Sequence, residues 1–565
     1  FIPMTIAQNF NLLFKDFDGN VDESQASIIS NNLALPSVKQ NKTIVIDKTV
    51  FDNSSLELSL FDNQRLQLEE FDLGFSGINY RHWVGRNQVG DAAFIINGDR
   101  ISGHISGEFG NYEIYPLGNG VHLFAELDSE QFEPCGNEEG GEILVPEPVP
   151  ADKDESIGSE KSAIGTECFI RLITGYTTRA KDSTAVNFGR TMNEHIGLAV
   201  LESNQGYANS DVELRVELAF SYETDDNEGF FFFFDIAALQ SQTDGRWDEI
   251  HGFRNDYDGD MVALITAGNY GVCGVANGFD YTDDANMFQI SEYQCIVGNY
   301  TFAHEFGHTQ GCRHDDDNTQ TPFTYARGYN DGTERTIMAI SSITVPRRNH
   351  WSNPDVNFPS GNVTGEVDRD NARALDFGDE VVARHRITPM NSSLNVVVED
   401  DQTLNMFTIS TLTSTSEVES GAILELKSQG IVTLEAGFHA KAGSELRAYV
   451  LPVCTASYSL NGEENTENRT MEIPKIAYTN YLQIAPNPTH GDIQLSWQQG
   501  MDAKVTIELQ DTYGRTVTNV LGDRFHYSGA HTIDLSTSHL TSGLYYVVFR
   551  TKEMTLVKNV MVLNP

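Results

Sequence analysis

The stretch TFAHEFGHTQGCRHD, residues 301–315, decides how the rest of this 565-residue sequence is interpreted. His304 and His308 are four residues apart, so on a helix both imidazoles project from one face and can reach one ion. Glu305, beside the first histidine, can reach a water on that ion. Gly311 is expected to end the helix in a left-handed conformation, because a continued helix would keep the next histidine away. The chain can then turn back and present His314.

Three neutral imidazole nitrogens with one open position are the donor set of a catalytic zinc site rather than a closed structural one. The sequence therefore predicts one catalytic Zn²⁺ held by His304, His308 and His314. Zinc lowers the pKa of a bound water, and Glu305 is placed to act as the general base that takes its proton. The competing interpretation is a chance match among surface histidines. Five specified positions within eleven residues argue against it.

The spacing H-E-x-x-H-x-x-G-x-x-H is the metzincin signature, and this sequence resembles the bacterial reprolysin/adamalysin branch of that family. Asp315, directly after the third histidine, is one mark of the likeness. The other marks are the flanking segments YGVCGVAN (270–277), TPFTYARGY (321–329), PRRNHWSNPDV (346–356) and DRDNARAL (368–375). The resemblance implies an α/β (α+β) catalytic domain over residues 167–388, with a mixed sheet and a zinc-binding helix.

The same resemblance implies a methionine-containing turn beneath the metal. The segment ERTIMAISS (334–342) offers Met338 for this turn. Gly311 and Asp315 are expected to support the zinc site structurally. In some metzincins a tyrosine two residues after the turn methionine is an extra ligand, but here that position is Ile340. No tyrosine ligand is therefore expected.

The activity implied is that of a zinc metalloendopeptidase, a hydrolase of protein or peptide substrates that is made as a latent zymogen and secreted. Its specificity pocket is expected between the zinc helix and residues 339–346. Two alternatives remain open. An adhesion protein could carry a retired protease domain, although retired sites usually lose the glutamate or a histidine. A hydrolase of non-peptide substrates fits the zinc chemistry but not the resemblance.

The cysteines suggest two further features. Cys273 and Cys295 flank one loop before the zinc helix and are expected to form a disulfide. Cys135 follows the N-terminal β region, where its thiolate could occupy the open zinc position of the zymogen. The alternative for Cys135 is a disulfide, for instance with Cys168. Cys312, inside the zinc motif, is a free thiol, a disulfide partner or a buried small residue.

The sequence before the catalytic region divides into two parts. Residues 1–134 alternate apolar and polar positions between Gly- and Asn-rich turns, which is typical of short strands. The segment YEIYPLGNGVHLFAELD (112–128) resembles the propeptide of the same bacterial peptidases. Residues 135–166 form an acidic Pro/Gly linker in which activation cleavage is expected. The opening FIPMTIAQ (1–8) is interpreted as the end of a secretory signal, although a strand would look similar.

After the catalytic region the helical pattern stops. Residues 389–455 are expected to form a stacked-strand β module, followed by a linker at 456–478 and a β-sandwich at 479–565. The last segment resembles the type IX secretion sorting domain of Bacteroidetes. The likeness lies in PNPTHG (486–491), SGLYYVVF (542–549) and KNVMVLNP (558–565). The resemblance implies a multidomain protein, exported by the outer-membrane type IX secretion machinery to a secreted or cell-surface location.

The amino-acid composition limits the classes of partner that the protein can bind. With 37 Lys and Arg against 81 Asp and Glu, the formal net charge is −44, which repels phosphate backbones and disfavours nucleic-acid binding. No apolar run approaches the roughly 20 residues of a membrane span. The segment from Asp16 to Asp22 has oxygen ligands at alternate positions, as a Ca²⁺ loop might, but lacks the downstream bidentate glutamate. A solvated turn is favoured there, so Ca²⁺ stays unassigned.

Overall fold

The computed structural model describes residues 12–136, 169–450 and 481–563. The positions inside these ranges that it does not describe are 74–75, 225–227, 230, 269, 318–321, 384, 387–390, 409, 429, 486–488, 490, 500–502, 512–514, 527–528 and 552–554. The chain divides into two compact units, Phe1–Ser457 and Tyr458–Pro565. Each unit is described by itself.

Residues 12–136 form a nine-stranded antiparallel sheet and one helix, α1 (Glu23–Leu33). The strands are β1 (Phe14–Asp16), β2 (Val38–Ile46), β3 (Ser55–Ser59), β4 (Arg65–Glu70), β5 (Arg81–Arg86), β6 (Gly90–Asn97), β7 (Arg100–Gly107), β8 (Gly110–Gly118) and β9 (Val121–Leu127). Alternate side chains of a strand point to opposite faces. In β6, Phe94 and Ile96 join a core around Trp83, whereas Ala93 and Ile95 pack against the region that follows. We refer to residues 12–136 as the N-terminal sheet.

Residues 169–386 form a mixed α/β layer. Its strands are β10 (Ile170–Thr177), β11 (Val216–Thr224), β12 (Met261–Thr266), β13 (Gly274–Ala276) and β14 (Phe288–Glu292). Its helices are α2 (Thr178–Phe188), α3 (Met192–Asn209), α4 (Phe232–Gln240), α5 (Glu249–Asp256), α6 (Thr301–Thr309) and α7 (Asn371–Val382). The strand order is β13-β14-β12-β10-β11, with β13 antiparallel to β14 and the other neighbours parallel. This mixed sheet is the one that the resemblance implied.

Helix α3 joins the two layers. Thr191 and Glu194 form a capping box at its start, which satisfies two backbone N–H groups. All 18 residues of α3 are buried, polar ones included. A helix that is buried on every side needs apolar neighbours on two faces. The N-terminal sheet supplies one face and the mixed sheet the other, so the two regions share one core.

Residues 391–450 wind through three successive coils of short parallel strands. The first coil contains β15 (Asn391–Leu394), β16 (Val397–Val398) and β17 (Thr403–Thr408). The second contains β18 (Thr411–Ser414), β19 (Glu417–Val418) and β20 (Ile423–Ser428), and the third contains β21 (Ile431–Leu434), β22 (His439–Ala440) and β23 (Glu445–Val450). Each strand stacks in parallel on its counterpart in the next coil. Strand β17 also pairs antiparallel with β11, so the ladder β17-β20-β23 extends the mixed sheet. We call residues 391–450 the coiled module.

The second unit contains two antiparallel sheets. Its strands are β24 (Tyr481–Ala485), β25 (Ile493–Gln499), β26 (Ala503–Gln510), β27 (Thr516–His526), β28 (Gly529–Leu535), β29 (Gly543–Arg550) and β30 (Thr555–Val562). The sheets have the orders β24-β25-β28 and β27-β26-β29-β30. Trp497 of the first sheet packs on Phe549 of the second, with ring centroids 5.9 Å apart. This is the packing of a small β-sandwich.

Two expectations about ions and membranes can be compared with these elements. Asp22 caps α1 with its side chain, and Asp16 pairs with Lys42 at 3.0 Å, so both carboxylates have protein partners. Among the helices of the described ranges, none is long and apolar enough to cross a membrane.

Candidate metal centre

The histidine-bearing helix α6 ends close to the predicted position, at Thr309. Gly311 has a φ of +91°, a conformation that side chains with a Cβ rarely adopt. A Cβ at this position would also lie 2.7 Å from Pro322 Cγ. Both observations require glycine where the chain reverses. The reversal carries His314 back to the helix.

The three histidine side chains converge on one point. His314 Nε2 lies 3.0 Å from His304 Nε2 and 3.0 Å from His308 Nε2. Backbone carbonyls hold the opposite nitrogens: Ile337 O lies 2.9 Å from His304 Nδ1, and Cys312 O lies 3.0 Å from His308 Nδ1. A ring nitrogen that faces a carbonyl carries the hydrogen, so the Nε2 lone pairs of these two rings face the shared point. This is the tautomer that a metal ion needs.

Burial keeps the three imidazoles neutral. It lowers the pKa of His304 and His308 well below 6.5, and the neighbouring histidines add to the effect. Burial, with the charges of Arg347 and Arg313, lowers the pKa of His314 to about 3. A metal ion binds the neutral form of imidazole, so protons do not compete for these nitrogens near neutral pH. The donor set therefore fits a zinc ion.

Cys135 adds a fourth donor from the N-terminal part of the chain. Donor atoms of Cys135, His304, His308 and His314 all lie within 4.8 Å of one another, and all four residues are buried. The Cys135 sulfur lies 3.7 Å from His308 Nε2 and donates to Glu305 Oε1 at 3.3 Å. One sulfur with three imidazoles is a complete tetrahedral set for zinc. The sequence analysis left Cys135 between two roles, and the structure brings it to the histidines.

The backbone beside Cys135 lies along β13. Cys273 N donates to Pro134 O at 2.7 Å, and Cys135 forms a parallel β-bridge with Gly274. A Cβ at Gly274 would lie 2.8 Å from Glu305 Cγ, so only glycine permits this close approach of strand and helix. Cys273 and Cys295 form a disulfide next to this edge of the sheet.

Glu305 lies at the centre of this arrangement and is fully buried. Burial raises the pKa of Glu305 to about 8, while the Cys135 thiol and the charge of Arg347 act in the opposite direction. Its second oxygen, Oε2, has no hydrogen-bond partner among the described residues. A buried carboxylate oxygen without a partner, at a cluster of donor atoms, fits a site that binds a metal ion and its water.

The turn that contains Met338 is hydrogen-bonded on both sides to residues of the histidine motif. Before it, Ile337 O accepts from His304. After it, Asp315 accepts from the backbone N–H groups of Ile340 at 2.9 Å and Ser341 at 3.1 Å. Met338 itself is buried, and a Cβ at Gly307 would lie 2.8 Å from its sulfur. Met338 and Asp315 thus lie where the sequence analysis expects supporting residues.

Some contributors were missed by the sequence analysis. The carbonyls of Ile337 and Cys312 leave no sequence signal, because any residue supplies a carbonyl. Arg347 is also part of the surroundings, and its signal was present as two consecutive arginines in an otherwise acidic chain. Cys312 is buried, and burial raises the pKa of its thiol. Cys168, the alternative partner of Cys135, lies outside the described residues.

A buried carboxylate beside three imidazoles that converge on one point defines the class of protein, a metallopeptidase. Comparison with known families identifies which one. Residues 173–352 match the family described as "Metallo-peptidase family M12", in its reprolysin-like form, and residues 483–563 match the "Secretion system C-terminal sorting domain". The chain belongs to the reprolysin-like M12 metallopeptidases. Its sorting domain is of the type IX secretion class and indicates a secreted or cell-surface protein.

Curated relatives agree with this assignment. The chain is 34% identical over 314 residues to a peptidyl-Asp metalloendopeptidase of Stenotrophomonas maltophilia (strain K279a), a match that covers 54% of this chain and 72% of the relative. It is 32% identical over 307 residues to the enzyme of the same description from Xanthomonas campestris pv. campestris, covering 53% and 71%. The protein is therefore a metalloendopeptidase.

Metalloproteinase-II from Bacteroides fragilis superposes with a TM-score of 0.30 and 10% identity, covering 51% of this chain and 86% of that one. Similarity at this level carries no argument about fold or activity.

Proposed function

We propose that His304, His308 and His314 hold the catalytic zinc ion of this metalloendopeptidase and that Glu305 is its general base. The observation that carries the proposal is the convergence of the three Nε2 atoms beside a buried carboxylate. The backbone carbonyls on Nδ1 support it, because they fix the rings of His304 and His308 in the tautomer that presents Nε2.

A zinc ion bound by these residues supplies a Lewis acid that polarises the scissile carbonyl and acidifies a water. The side chains of the protein carry out the proton transfers and position the metal ligands. Glu305 takes the proton of the attacking water and later delivers it to the leaving amine. The turn around Met338, fastened by Asp315, fixes the position of His304 through Ile337 O. Glu305 accepts from the Cys135 sulfur, which lies among the three histidine nitrogens, so its carboxylate is within reach of a group bound there.

The chain is made as a latent zymogen in which Cys135 blocks the site. The contacts of its sulfur support this role, since the thiol lies both at the histidine nitrogens and at Glu305 Oε1. They favour the switch over a disulfide with Cys168. The N-terminal sheet is the propeptide that holds Cys135 in place, and cleavage between residues 137 and 168 starts its release.

The preferred substrate bond lies next to an aspartate. The support is the description of the relatives as peptidyl-Asp metalloendopeptidases, at 32–34% identity over the matching region. Peptides and proteins are the substrates, and the type IX secretion machinery is the partner that recognises residues 483–563.

The decisive experiment measures casein cleavage by the full chain after proteolytic nicking between residues 137 and 168. It is run as purified, after chelation, after return of zinc, and as the Glu305→Gln and His304→Ala variants. We expect Glu305→Gln to keep one zinc per chain and lose at least about 1,000-fold in kcat, and His304→Ala to lose zinc and activity together. Glu366→Gln, at an exposed carboxylate, is the matched control. Activity in Glu305→Gln equal to that of the control would refute the proposed base.

Latency is tested on the intact chain. Cys135→Ser should be active without nicking, whereas the intact wild type should be inactive. Thiol labelling, with the labelled residue located by mass spectrometry, should reach Cys135 only after chelation. Labelling that ignores the chelator would contradict the switch.

A further inference from the structure

An aromatic side chain lies between the metal centre and the protein surface. The ring of Phe279 meets the ring of His308 edge-on, with centroids 5.2 Å apart. His308 is buried, whereas Phe279 is partly exposed. The guanidinium of Arg313 lies 3.7 Å from the centre of the Phe279 ring, and its charge is paired with Asp317 at 3.2 Å. Phe279 therefore offers apolar surface to solvent directly beside a histidine of the metal centre.

Three further rings form a cluster next to the same motif. Tyr281 stacks on Phe323 with ring centroids 5.3 Å apart, and Phe377 lies edge-on to both, at 6.2 and 5.8 Å. Phe323 lies against the chain reversal, since a Cβ at Gly311 would lie 2.9 Å from Phe323 Cε2. Tyr281 follows Phe279 by two residues in the loop after β13. The four rings thus border the histidine motif, and we call them the aromatic patch (Phe279, Tyr281, Phe323 and Phe377).

The aromatic patch presents apolar surface to water. Phe377 is 63% exposed, and Tyr281 and Phe323 are partly exposed. Covering such surface with an apolar ligand is favourable, and contiguous exposed apolar patches mark binding sites in folded proteins. A net charge of −44 disfavours an anionic membrane surface as the ligand. An apolar segment of a protein is the occupant that this chemistry favours.

The position of the patch selects the substrate as that protein. In the proposed function, the scissile bond lies where the three histidine Nε2 atoms converge. The Phe279 ring is only about one to two residues of extended chain away from the His308 ring, at about 3.3 Å per residue. The other three rings continue the patch beyond it. A substrate residue about two to five positions from the scissile bond can therefore reach the patch.

We propose that the aromatic patch is a substrate subsite that selects an apolar or aromatic side chain about two to five residues from the scissile bond. This inference rests on the proposed function and adds a second specificity element to the aspartate beside the bond. Aromatic rings suit the role because they bury a large area and accept another ring in an offset or edge-to-face arrangement. The patch contains no residue of segment 339–346, where the sequence analysis expects the specificity pocket.

The test uses peptides that contain one Asp in a Ser-rich background. Phe or Ser occupies one position at a time on either side of the Asp, and mass spectrometry locates the cleaved bond. The enzyme is the nicked full chain, and the readout is the ratio of kcat/KM for the Phe peptide and its Ser counterpart. Because both rates come from one preparation, the ratio does not depend on how much of a variant is folded. Wild type should favour Phe by about 10-fold or more at one or two positions, the worth of burying an apolar side chain.

The variants remove rings from the patch. Phe377→Ser replaces an exposed apolar side chain by a polar one, so the protein should still fold, and the Phe preference should fall about 3- to 10-fold. Adding Tyr281→Ser should nearly abolish the preference. Should the double variant fail to fold, Phe377→Ser alone decides the question. The matched control is Phe234→Ser on α4, because Phe234 is 71% exposed and lies outside the patch. It should keep the wild-type ratio.

A binding measurement gives a second readout. Glu305→Gln is expected to bind peptides without cleaving them, so the dissociation constants of the Phe and Ser peptides can be compared by titration calorimetry. The Phe preference should appear in these constants, because the patch acts on binding rather than on the chemical step. Phe377→Ser in the same background should reduce it.

The outcomes separate the inference from the function beneath it. If wild type cleaves Phe and Ser peptides equally at every position, or if Phe377→Ser keeps the wild-type preference, the inference is overturned while the peptidase remains. An equal loss in Phe234→Ser would overturn it as well. If sedimentation velocity shows a dimer of wild type that Phe377→Ser abolishes, a second copy covers the patch and the inference fails. If wild type cleaves neither these peptides nor casein, the proposed function itself is refuted.

Discussion

The N-terminal sheet and the coiled module both pack against the mixed sheet, but they are attached by different means. The N-terminal sheet is held by contacts between side chains: an apolar core shared around α3, and ion pairs such as His104 to Glu202 at 2.5 Å and Glu113 to Arg190 at 2.8 Å. The coiled module is held by backbone pairing of β17 with β11, which makes one continuous sheet. Contacts between side chains can separate without breaking the hydrogen bonds of either sheet, whereas dividing a shared sheet leaves a row of unpaired backbone groups at the new edge.

The ionic contacts of the coiled module are part of that core. Glu217 of β11 accepts from Arg171 of β10 at 2.7 Å and from Lys427 of β20. All three residues are buried. The charges thus link strands of the mixed sheet to a strand of the coiled module. We therefore predict that the N-terminal sheet can separate from the mixed sheet without unfolding it, whereas the coiled module cannot.

The largest effect on stability is expected from removing the coiled module. A chain ending at residue 390 loses β17 and β20, which contribute Leu404, Met406, Leu424 and Leu426 to the core shared with Phe220. Four such buried side chains are worth as much as the whole stability of a domain, about 5–15 kcal/mol. We expect no cooperative thermal unfolding from this chain, in contrast to one ending at residue 457. Equal unfolding midpoints would show that the module is an independent appendage.

A smaller effect is expected from Glu217→Gln. The substitution leaves the buried charges of Arg171 and Lys427 without their shared carboxylate, which should lower the free energy of unfolding by about 3–5 kcal/mol. The control is Glu223→Gln in the same strand, whose pair with Lys181 is half exposed and worth at most about 1 kcal/mol. Chemical denaturation measures both. Similar losses in the two variants would contradict an integral role for Glu217.

At the N-terminal sheet, Glu202→Gln should affect release rather than folding. It removes the charge that pairs with His104 across the interface, at an expected cost of about 1.5–3 kcal/mol in docking. After nicking between residues 137 and 168, the N-terminal piece should elute separately from this variant on gel filtration under conditions where wild type retains it. Asp52→Asn, at an exposed ion pair within the sheet, is the control. A fall in thermal stability of the catalytic piece alone would argue against a purely docking role.

The smallest effect concerns pH. Burial alone would lower the pKa of His104, but Glu202, Glu113 and Asp91 outweigh it and raise the pKa above 6.5. Burial also raises the pKa of Glu202, against the effect of His104. Docking therefore takes up protons, and its strength is greatest below pH 6.5 and is lost as the pH rises through the docked pKa of His104.

Between pH 6.5 and 8.5 the nicked N-terminal piece should dissociate progressively, by a few-fold to about 10-fold. His350, whose pKa is lowered to about 3 by burial and by Arg86 and Arg348, is neutral in this range and contributes nothing. The measurement is the dissociation constant of the two pieces by titration calorimetry. His104→Gln combined with Glu202→Gln should remove the dependence, because both groups take up protons on docking. Tighter docking at pH 8.5 than at 6.5 would reverse the assigned sign.

A feature of the structure could be predicted from the sequence when the residues that form it lie close together in the chain. The three histidines, Glu305 and Gly311 lie within eleven residues, so helix geometry and one chain reversal at Gly311 bring them together. The mixed sheet followed from the resemblance. The pairing of β17 with β11 crosses the domain boundary that the sequence analysis placed at residue 388. The sequence of neither strand indicates which strand it will pair with. The approach of Cys135 to Glu305 spans 170 residues and depends on the whole N-terminal sheet.

The short backbone contact between Pro134 and Cys273 has a consequence for activation. While the chain is intact, the Cys135 segment is tethered to its binding edge, at an effective concentration that no soluble peptide matches. A cut between residues 137 and 168 removes the tether but none of the contacts. From that moment the proposed inhibited state is a complex of two molecules, and its survival depends on how much protein is present. A high protein concentration would preserve it, whereas dilution would complete what cleavage began.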